Sequence, residues 1–545
     1  MTTTTENVNT TEETTMTKTI NILISDPLSE DGIYPLLEEK DLQLNIVSNT
    51  GLSPEELKAI INDFDVLLVR SQTKVTREII EAATNLKLIG RAGVGVDNID
   101  LDAATEKGII VVNAPDGNTN SAAEHTTAMI MALARHIPHA HMSLQEGRWD
   151  RKKFVGVELK NKTIGVLGFG RIGQEVAHRA KGNRMNVIAY DPFLTAEKAE
   201  KAGVAYGSVE DVAKVADFIT MHTPLLDSTH HMINDDIFAI MKDGVRIVNC
   251  ARGGIIDEDA LFRAIESGKV AGAALDVMEE EPFVGNRLLD LPQIIATPHL
   301  GASTIEAQES VAVDVSNDIL SYFKHGTVLN PVNMASVSKD IIAKIEPFFD
   351  LGAKLGTFVS RLTDSAINEI NIYYSGDLAN FDVRPLTNNT VKGILTRNLG
   401  NNVNNVNARY LAERNDIKIN EHKSTRAKAF LNSITVELVT STETHKVKGT
   451  LLAGLGARIV QVDDYVIDVN PQGHILFIRH MDKPGAIGLV GTLLADQNIN
   501  IATMQVGRAI EGGDAIMVLA VDHSVENVDF LKQQKNIFDV KSIDL

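Results

Sequence analysis

The chain has 545 residues, 44% of them hydrophobic and 23% charged, which suits a globular protein but exceeds what one core serves, so roughly three to five domains are expected. Its 52 Lys and Arg against 72 Asp and Glu leave a net charge of −20, which opposes nucleic acid or an anionic membrane as a main partner and requires that any anionic substrate meet cations concentrated locally. A single cysteine, Cys250, excludes an internal disulfide or a multi-cysteine metal site and points to a reducing, cytoplasmic setting; no metal is implied.

Residues 1–18 are rich in Thr, Asn and Glu without an apolar stretch, and are expected to be a disordered tail. From Ile20 onward, β-rich runs at 20–25, 42–47, 65–70, 86–90 and 108–113 alternate with helical stretches, the pattern of a parallel sheet with crossover helices. Ser121 to Glu124 reads as a capping box opening a long helix that bridges two domains. A second β-α-β series follows, with strands at 162–168, 186–191, 217–222, 245–249, 273–277 and 293–298. The segment after Pro298 predicts a helix stopped by Gly326 that carries the chain back to the first domain, making that domain discontinuous. Residues 335–470 mix helical and strand patterns around an Asn-rich stretch and show no catalytic constellation, and 474–545 read as a compact βαββαβ module.

The chemistry-bearing residues fall at the ends of predicted strands. Gly168, Gly170 and Gly173, in GFGRIG between a buried strand and an amphipathic helix, suit a turn that places a diphosphate on a helix N-terminus. Asp191 ends the next strand, where a carboxylate accepts ribose hydroxyls and repels a 2′-phosphate, favouring NAD over NADP. Arg252, in NCARGG after a strand, can hold a substrate carboxylate by two parallel hydrogen bonds. His299 follows another strand and titrates near neutrality, as proton transfer to and from a carbonyl oxygen requires. Glu281 could orient that ring, although Glu279 and Glu280 adjoin it and only its place before Pro282 singles it out. Gly93 and Gly95 sit in a loop whose amides could bind a carboxylate, and Arg70 ends a strand facing the same way. The plainer readings are a tight turn for the glycines, a turn start at Asp191, a surface ion pair for Arg252, a surface arginine for Arg70, chance placement among 15 histidines for His299, and a solvated acidic run for Glu281.

Taken together, GRAGVGVDN (90–98), GFGRIG with Asp191, HTPL (222–225), NCARGG (249–254), LDVMEEEP (275–282) and PHLGAS (298–303), in this order, resemble the D-isomer-specific 2-hydroxyacid dehydrogenase family over about residues 20–330. The resemblance implies Arg252 on the substrate carboxylate, His299 as acid and base, and Glu281 as its partner. It implies NAD lined by Val94, Gly168, Gly170, Arg171, Ile172, Gly173, Asp191, Thr223, Cys250, Ala251, Arg252, Asp276, His299, Gly301 and Ala302. The substrate would meet Arg70, Gly93, Val94, Gly95, Arg151, Arg252 and His299, with Arg70 on a phosphate and Arg151 a weaker candidate.

Residues 474–545 resemble an ACT domain and the preceding stretch an intervening domain, as in the long form of the family. The implied architecture is α/β: a flavodoxin-like substrate domain (19–117 with 308–334), a Rossmann NAD domain (118–307), both doubly wound parallel sheets, then an α+β intervening domain (335–470) and a βαββαβ ACT domain. The implied reaction is NAD-dependent oxidation of 3-phosphoglycerate to 3-phosphohydroxypyruvate, the first step of serine synthesis, in a homo-oligomer, dimer or tetramer. His480, Asp482 and Asn500 are the candidate L-serine residues, Asp482 standing where serine-sensing relatives place Asn. Two further departures are Gly182 to Met185, where the family carries Phe-Gly-Met, and Arg409, which replaces a proline. Alternatives are a reductase of glyoxylate, hydroxypyruvate or 2-oxoglutarate, and an NAD-sensing scaffold.

Overall fold

The first sheet forms from short runs in which side chains are buried on both faces. Strands β1 (Ile20–Ile24), β2 (Leu44–Ser48), β3 (Val66–Val69), β4 (Leu88–Arg91) and β5 (Ile110–Asn113) pair in parallel in the order β2-β1-β3-β4-β5. Val66, Leu67, Leu68 and Val69 have no exposed surface, because helices cover both faces and no polar alternation is tolerated. The computed structural model describes residues 19–282, 285–335, 337, 339–426 and 429–545, so the expected tail at 1–18 lies outside the described residues.

The second sheet comprises β6 (Thr163–Leu167), β7 (Asn186–Tyr190), β8 (Ala205–Tyr206), β9 (Phe218–Met221), β10 (Val245–Asn249), β11 (Val270–Leu275) and β12 (Ile294–Ala296), parallel in the order β12-β11-β10-β9-β6-β7-β8. The order reverses between β6 and β9, and a crevice opens there at the carboxyl ends. Asn249, Leu275 and Ala296 lie abreast at the ends of β10, β11 and β12, so the chain leaves all three strands at one edge.

The bridging helix spans Thr119–Arg135, but its start differs from the sequence expectation. Asn118 is its N-cap without a side-chain bond, and Ser121 lies inside the first turn with its hydroxyl 2.7 Å from that of Thr304. Thr304 caps the return helix Ile305–His325 and draws the Ser121 hydroxyl away from its own helix. Gly326 ends the return helix with φ 68°, and Val311, Ala312, Val315 and Ile319 pack on the first sheet.

A third, mixed sheet contains β13 (Ile367–Gly376), β14 (Lys418–Ser424), β15 (Asn432–Thr440), β16 (Thr444–Leu452), β17 (Gly456–Val462) and β18 (Tyr465–Val469) in the order β14-β13-β15-β16-β17-β18. Helices Phe349–Arg361 and Arg384–Leu399 contribute to its core. The fourth sheet is antiparallel, β20-β21-β19-β22, built from β19 (His474–Met481), β20 (Ile501–Arg508), β21 (Asp514–Val521) and β22 (Ile537–Asp544). Ile475, Phe477, Ile516, Val518 and Ile543 of that sheet share one core with the third. Lys541 and Arg397 meet across this junction on Asp364, each at 2.6 Å, and hold its carboxyl down at about 2.

The Asn-rich stretch is a joint. Asn404 donates from Nδ2 to the Gly108 carbonyl at 2.7 Å and Asn407 to that of Glu106 at 3.3 Å, while Arg414 pairs with the Glu106 carboxylate and Val406 enters the first domain's core. Among the described residues no helix is long and apolar enough to cross a membrane.

Ile319 has no exposed surface in the return helix. Ile319→Ala is expected to cost about 2–5 kcal/mol, read as a lower urea midpoint with unchanged slope, because the first sheet's cover is lost there.

Candidate active site

The crevice of the second sheet is shaped by a turn that leaves backbone donors open. The helix Arg171–Gly182 starts at Gly170 with no side-chain cap, so its first N–H groups are free for an anion. A Cβ built on Gly170 meets nothing within 4 Å, whereas one on Gly173 would lie 2.1 Å from the Gly168 carbonyl oxygen. Gly170 therefore leaves ligand space and Gly173 lets the helix pack against the turn. Asp191 follows β7 and accepts from the Phe169 and Phe193 amides at 2.9 and 2.8 Å, bracing the turn while each oxygen retains capacity for a ribose hydroxyl. Thr223, just past β9, is buried and its hydroxyl has no partner, as expected of a group that meets a bound ligand. Arg171 crosses to Asp116 at 2.5 Å, and Ile172 packs beneath the turn. These features fit a dinucleotide.

Three chain exits past β10, β11 and β12 hold the reacting groups. After β10, Cys250 and Ala251 lead to Arg252, whose Nε donates to Asp97 of the first domain at 3.0 Å and whose Nη1 donates to the Ala251 carbonyl at 2.7 Å. The Cys250 thiol is pushed up to about 12 by burial and by Asp276, so it is no nucleophile at neutral pH. After β12, His299 has φ 54°, and its amide donates to the Asp276 carbonyl at 3.0 Å. Its Nδ1 lies 2.8 Å from Glu281 Oε2; an ionised carboxylate only accepts, so Nδ1 donates and Nε2 is the ring nitrogen left free. The Asp276 carboxylate has no exposed surface and accepts from the Thr297 hydroxyl at 2.6 Å, the Leu300 amide at 2.7 Å and the Gly301 amide at 2.8 Å. Burial pushes its pKa upward, but hydrogen bonds from His125, Thr297 and Leu300 outweigh that and hold it below the usual carboxylate range. Gly301 and Ala302 complete this turn. His222, by contrast, is buried against the Thr220 hydroxyl at 3.0 Å, and burial pushes it down to about 4, which makes it a neutral structural ring.

The first domain supplies cations. Gly93, Val94 and Gly95 form the loop after β4, and a Cβ on Gly95 would sit 2.0 Å from Arg252 Nη2, so only glycine lets this guanidinium lie against the loop. Arg91, at the end of β4, is a residue that sequence reasoning does not single out. Its Nε is buried without a partner, and burial with the neighbouring guanidiniums of Arg252 and Arg70 pushes it down to about 10. Arg70 stands after β3, its amide donating to the buried Asp26 at 2.6 Å. The signal in the sequence was the second position of GRAGVGVDN, read there for its glycines.

Arg151 and the effector candidates lie apart from this cluster within one chain. Arg151 lies in an exposed 3-10 turn, Arg151–Phe154, and among the described residues it makes no hydrogen bond or ion pair with the other site residues. The effector candidates do not converge within one chain. His480 is opposite Ala515 and Ile501 opposite Val521, so Asn500 sits roughly 20 Å away along β21 at ~3.4 Å per residue, where it donates to Asp522 at 3.0 Å. Asp482 binds Arg508 and the Gly512 amide, both at 3.2 Å. His480 itself is buried with Nε2 unpartnered, lining a cavity of about 200 Å³ with Pro484, Gly485 and Asn536.

Residues 127–301 match the model of the D-isomer specific 2-hydroxyacid dehydrogenase NAD binding domain, 344–463 that of the D-3-phosphoglycerate dehydrogenase intervening domain, and 474–534 that of the ACT domain. The chain is 45% identical over 524 residues to the D-3-phosphoglycerate dehydrogenase of Bacillus subtilis, covering 96% of this chain and 99% of that one. It is 45% identical over 529 residues to that of Methanocaldococcus jannaschii, covering 96% and 100%. Among solved structures, D-lactate dehydrogenase from Aquifex aeolicus complexed with NAD and lactic acid aligns with a TM-score of 0.51 at 31% identity, over 58% of this chain and 100% of that one.

The two glycines of the turn separate protein packing from ligand space. Gly173→Ala is expected to lower both the melting temperature and NADH affinity, whereas Gly170→Ala leaves melting unchanged and weakens NADH, by about tenfold or more in a fluorescence titration.

Proposed function

The chain belongs to the D-3-phosphoglycerate dehydrogenase family, and from that premise we propose that it oxidises 3-phosphoglycerate to 3-phosphohydroxypyruvate with NAD, at the entry to serine synthesis. The observation that carries this reading is the arrangement of Arg252 and His299 at one sheet edge, close to a group of guanidiniums from the other domain.

Arg252 takes the substrate carboxylate by two parallel hydrogen bonds, exchanging Asp97 for it. Arg70 and Arg91 receive the phosphate, and the loop at Gly93, Val94 and Gly95 closes on the carboxylate side. His299 accepts the C2 hydroxyl proton on Nε2, while the Glu281 carboxylate at Nδ1 fixes the ring and offsets the charge it acquires. When bound, NAD supplies the acceptor for the C2 hydrogen and its electron pair. Asp276 keeps the turn that carries His299 in register, and closure of the two domains excludes water from the cleft. In the reverse direction His299 returns the proton to the carbonyl oxygen.

The same reading includes a cytoplasmic homo-oligomer regulated by L-serine. Ile137, Met142, Leu144, Trp149 and Val155, all more than half exposed, give the 137–155 segment an apolar surface suited to a second copy. Separation of His480 from Asn500 within one chain supports an effector site shared between two ACT modules, with the unpartnered His480 Nε2 as one of its polar groups.

With 3-phosphohydroxypyruvate, NADH absorbance is expected to fall. Arg70→Ala is expected to raise KM for this substrate about tenfold or more while glyoxylate reduction changes less than about threefold. An equal loss on both substrates would remove Arg70 from the phosphate. L-Serine in the same assay is expected to slow the native enzyme and to have no effect on His480→Ala.

A further inference from the structure

The imidazole of His125 belongs to none of the groups assigned above, yet it reaches the buried carboxylate on which the His299 turn is hung. His125 lies on the bridging helix, one helical turn after Ser121. Both residues touch the segment that carries His299: Ser121 Oγ is 2.7 Å from Thr304 Oγ1, and His125 Nε2 is 3.1 Å from Thr297 Oγ1 and 3.2 Å from Asp276 Oδ1. The direction of these bonds follows from donor capacity. Thr297 gives its one hydroxyl proton to Asp276, and the carboxylate only accepts, so both contacts require the proton on Nε2 of His125.

We propose that His125 is a positioning residue for the reaction: its Nε2–H, shared by Thr297 and Asp276, fixes the turn that aims His299 at the substrate. This rests on His299 as the acid–base group. The backbone of His299 has φ 54°, a conformation costly for any residue but glycine unless its surroundings hold it. Asp276 holds it, through its carbonyl to the His299 amide and through its carboxylate to the Leu300 and Gly301 amides. His125 in turn holds the carboxylate from the helix that joins the two α/β domains, so the aim of the imidazole and the placement of that helix are one constraint.

Two polar substitutions test the nitrogen rather than the bulk. His125→Gln puts an amide N–H where Nε2–H was, whereas His125→Asn matches Nδ1 and leaves the Nε2 position empty. In His125→Gln, kcat is expected within about threefold of native, and in His125→Asn about tenfold or more below it, with KM for the oxo acid within about threefold in both. NADH Kd, from fluorescence, is expected within about twofold of native in both, which separates a misaimed ring from a lost nucleotide site. Equal kcat in the two variants, whether both native-like or both impaired, overturns the proposal. Should either variant melt well below the native protein, kcat is compared at a temperature at which both variants are fully folded, where the same ordering is expected and equal values overturn the proposal. The comparison uses whichever 2-oxo acid the native enzyme reduces fastest, so a failure of 3-phosphohydroxypyruvate as substrate leaves it intact. An unchanged kcat in His299→Gln would remove the acid–base reading instead.

Discussion

A carboxylate with no exposed surface must have its oxygens met by donors or it destabilises the fold by several kcal/mol, and Asp276 is such a group. It lies one residue past β11, between the ends of β10 and β12, and its donors come from the 297–301 turn and from the bridging helix. Meeting them dictates the path of the chain after β12, which in turn dictates where the His299 ring stands. Arg252 leaves the neighbouring strand at the same edge, so one buried anion organises the imidazole and borders the guanidinium.

Electrostatics of the cleft run against those of the chain. A protein of net charge −20 places Arg70, Arg91 and Arg252 close together, with Arg91 desolvated enough to fall to about 10. Asp97 and Asp26 offset part of that repulsion, and Asp97 does so from the position opposite Arg252 that a carboxylate ligand would take. The arrangement favours a small, multiply charged anion over a singly charged oxo acid, because the former relieves more of the repulsion that the two aspartates leave.

The α/β series was legible because both faces of each strand are covered, which turns strands into continuous apolar runs bounded by glycine and polar turns. His299, Arg252 and Asp191 could be singled out for a related reason: ligand sites of such sheets fall at strand ends, and strand ends are marked in the sequence, whereas Glu281 was set apart from its acidic neighbours only by Pro282. Arg91 was not, since burial of a guanidinium contradicts the usual preference of arginine for water, and only the three-dimensional neighbourhood shows why it is tolerated. Ser121 had the pattern of a cap, and its hydroxyl was taken by Thr304, 183 residues away. That the Asn-rich stretch is a joint was not legible, because its partners, Gly108 and Glu106, lie 296 and 301 residues away. Asn500 was grouped with His480 by motif, and the antiparallel register of β19, β20 and β21 puts the two at opposite ends of the sheet.

The four sheets are joined in sequence by polar contacts at each seam: Arg252 with Asp97 across the cleft, Asn404 and Arg414 on the edge of the first domain, and Asp364 with Lys541 and Arg397 between the last two. Of these, the contact across the cleft bears most directly on chemistry. A crystal structure of the protein with NAD and 3-phosphoglycerate tests it: the substrate carboxylate is expected on Arg252 in place of Asp97, with the C2 hydroxyl about 3 Å from His299 Nε2. Arg252 still paired with Asp97 in that complex, or a hydroxyl turned away from the imidazole, would contradict the account.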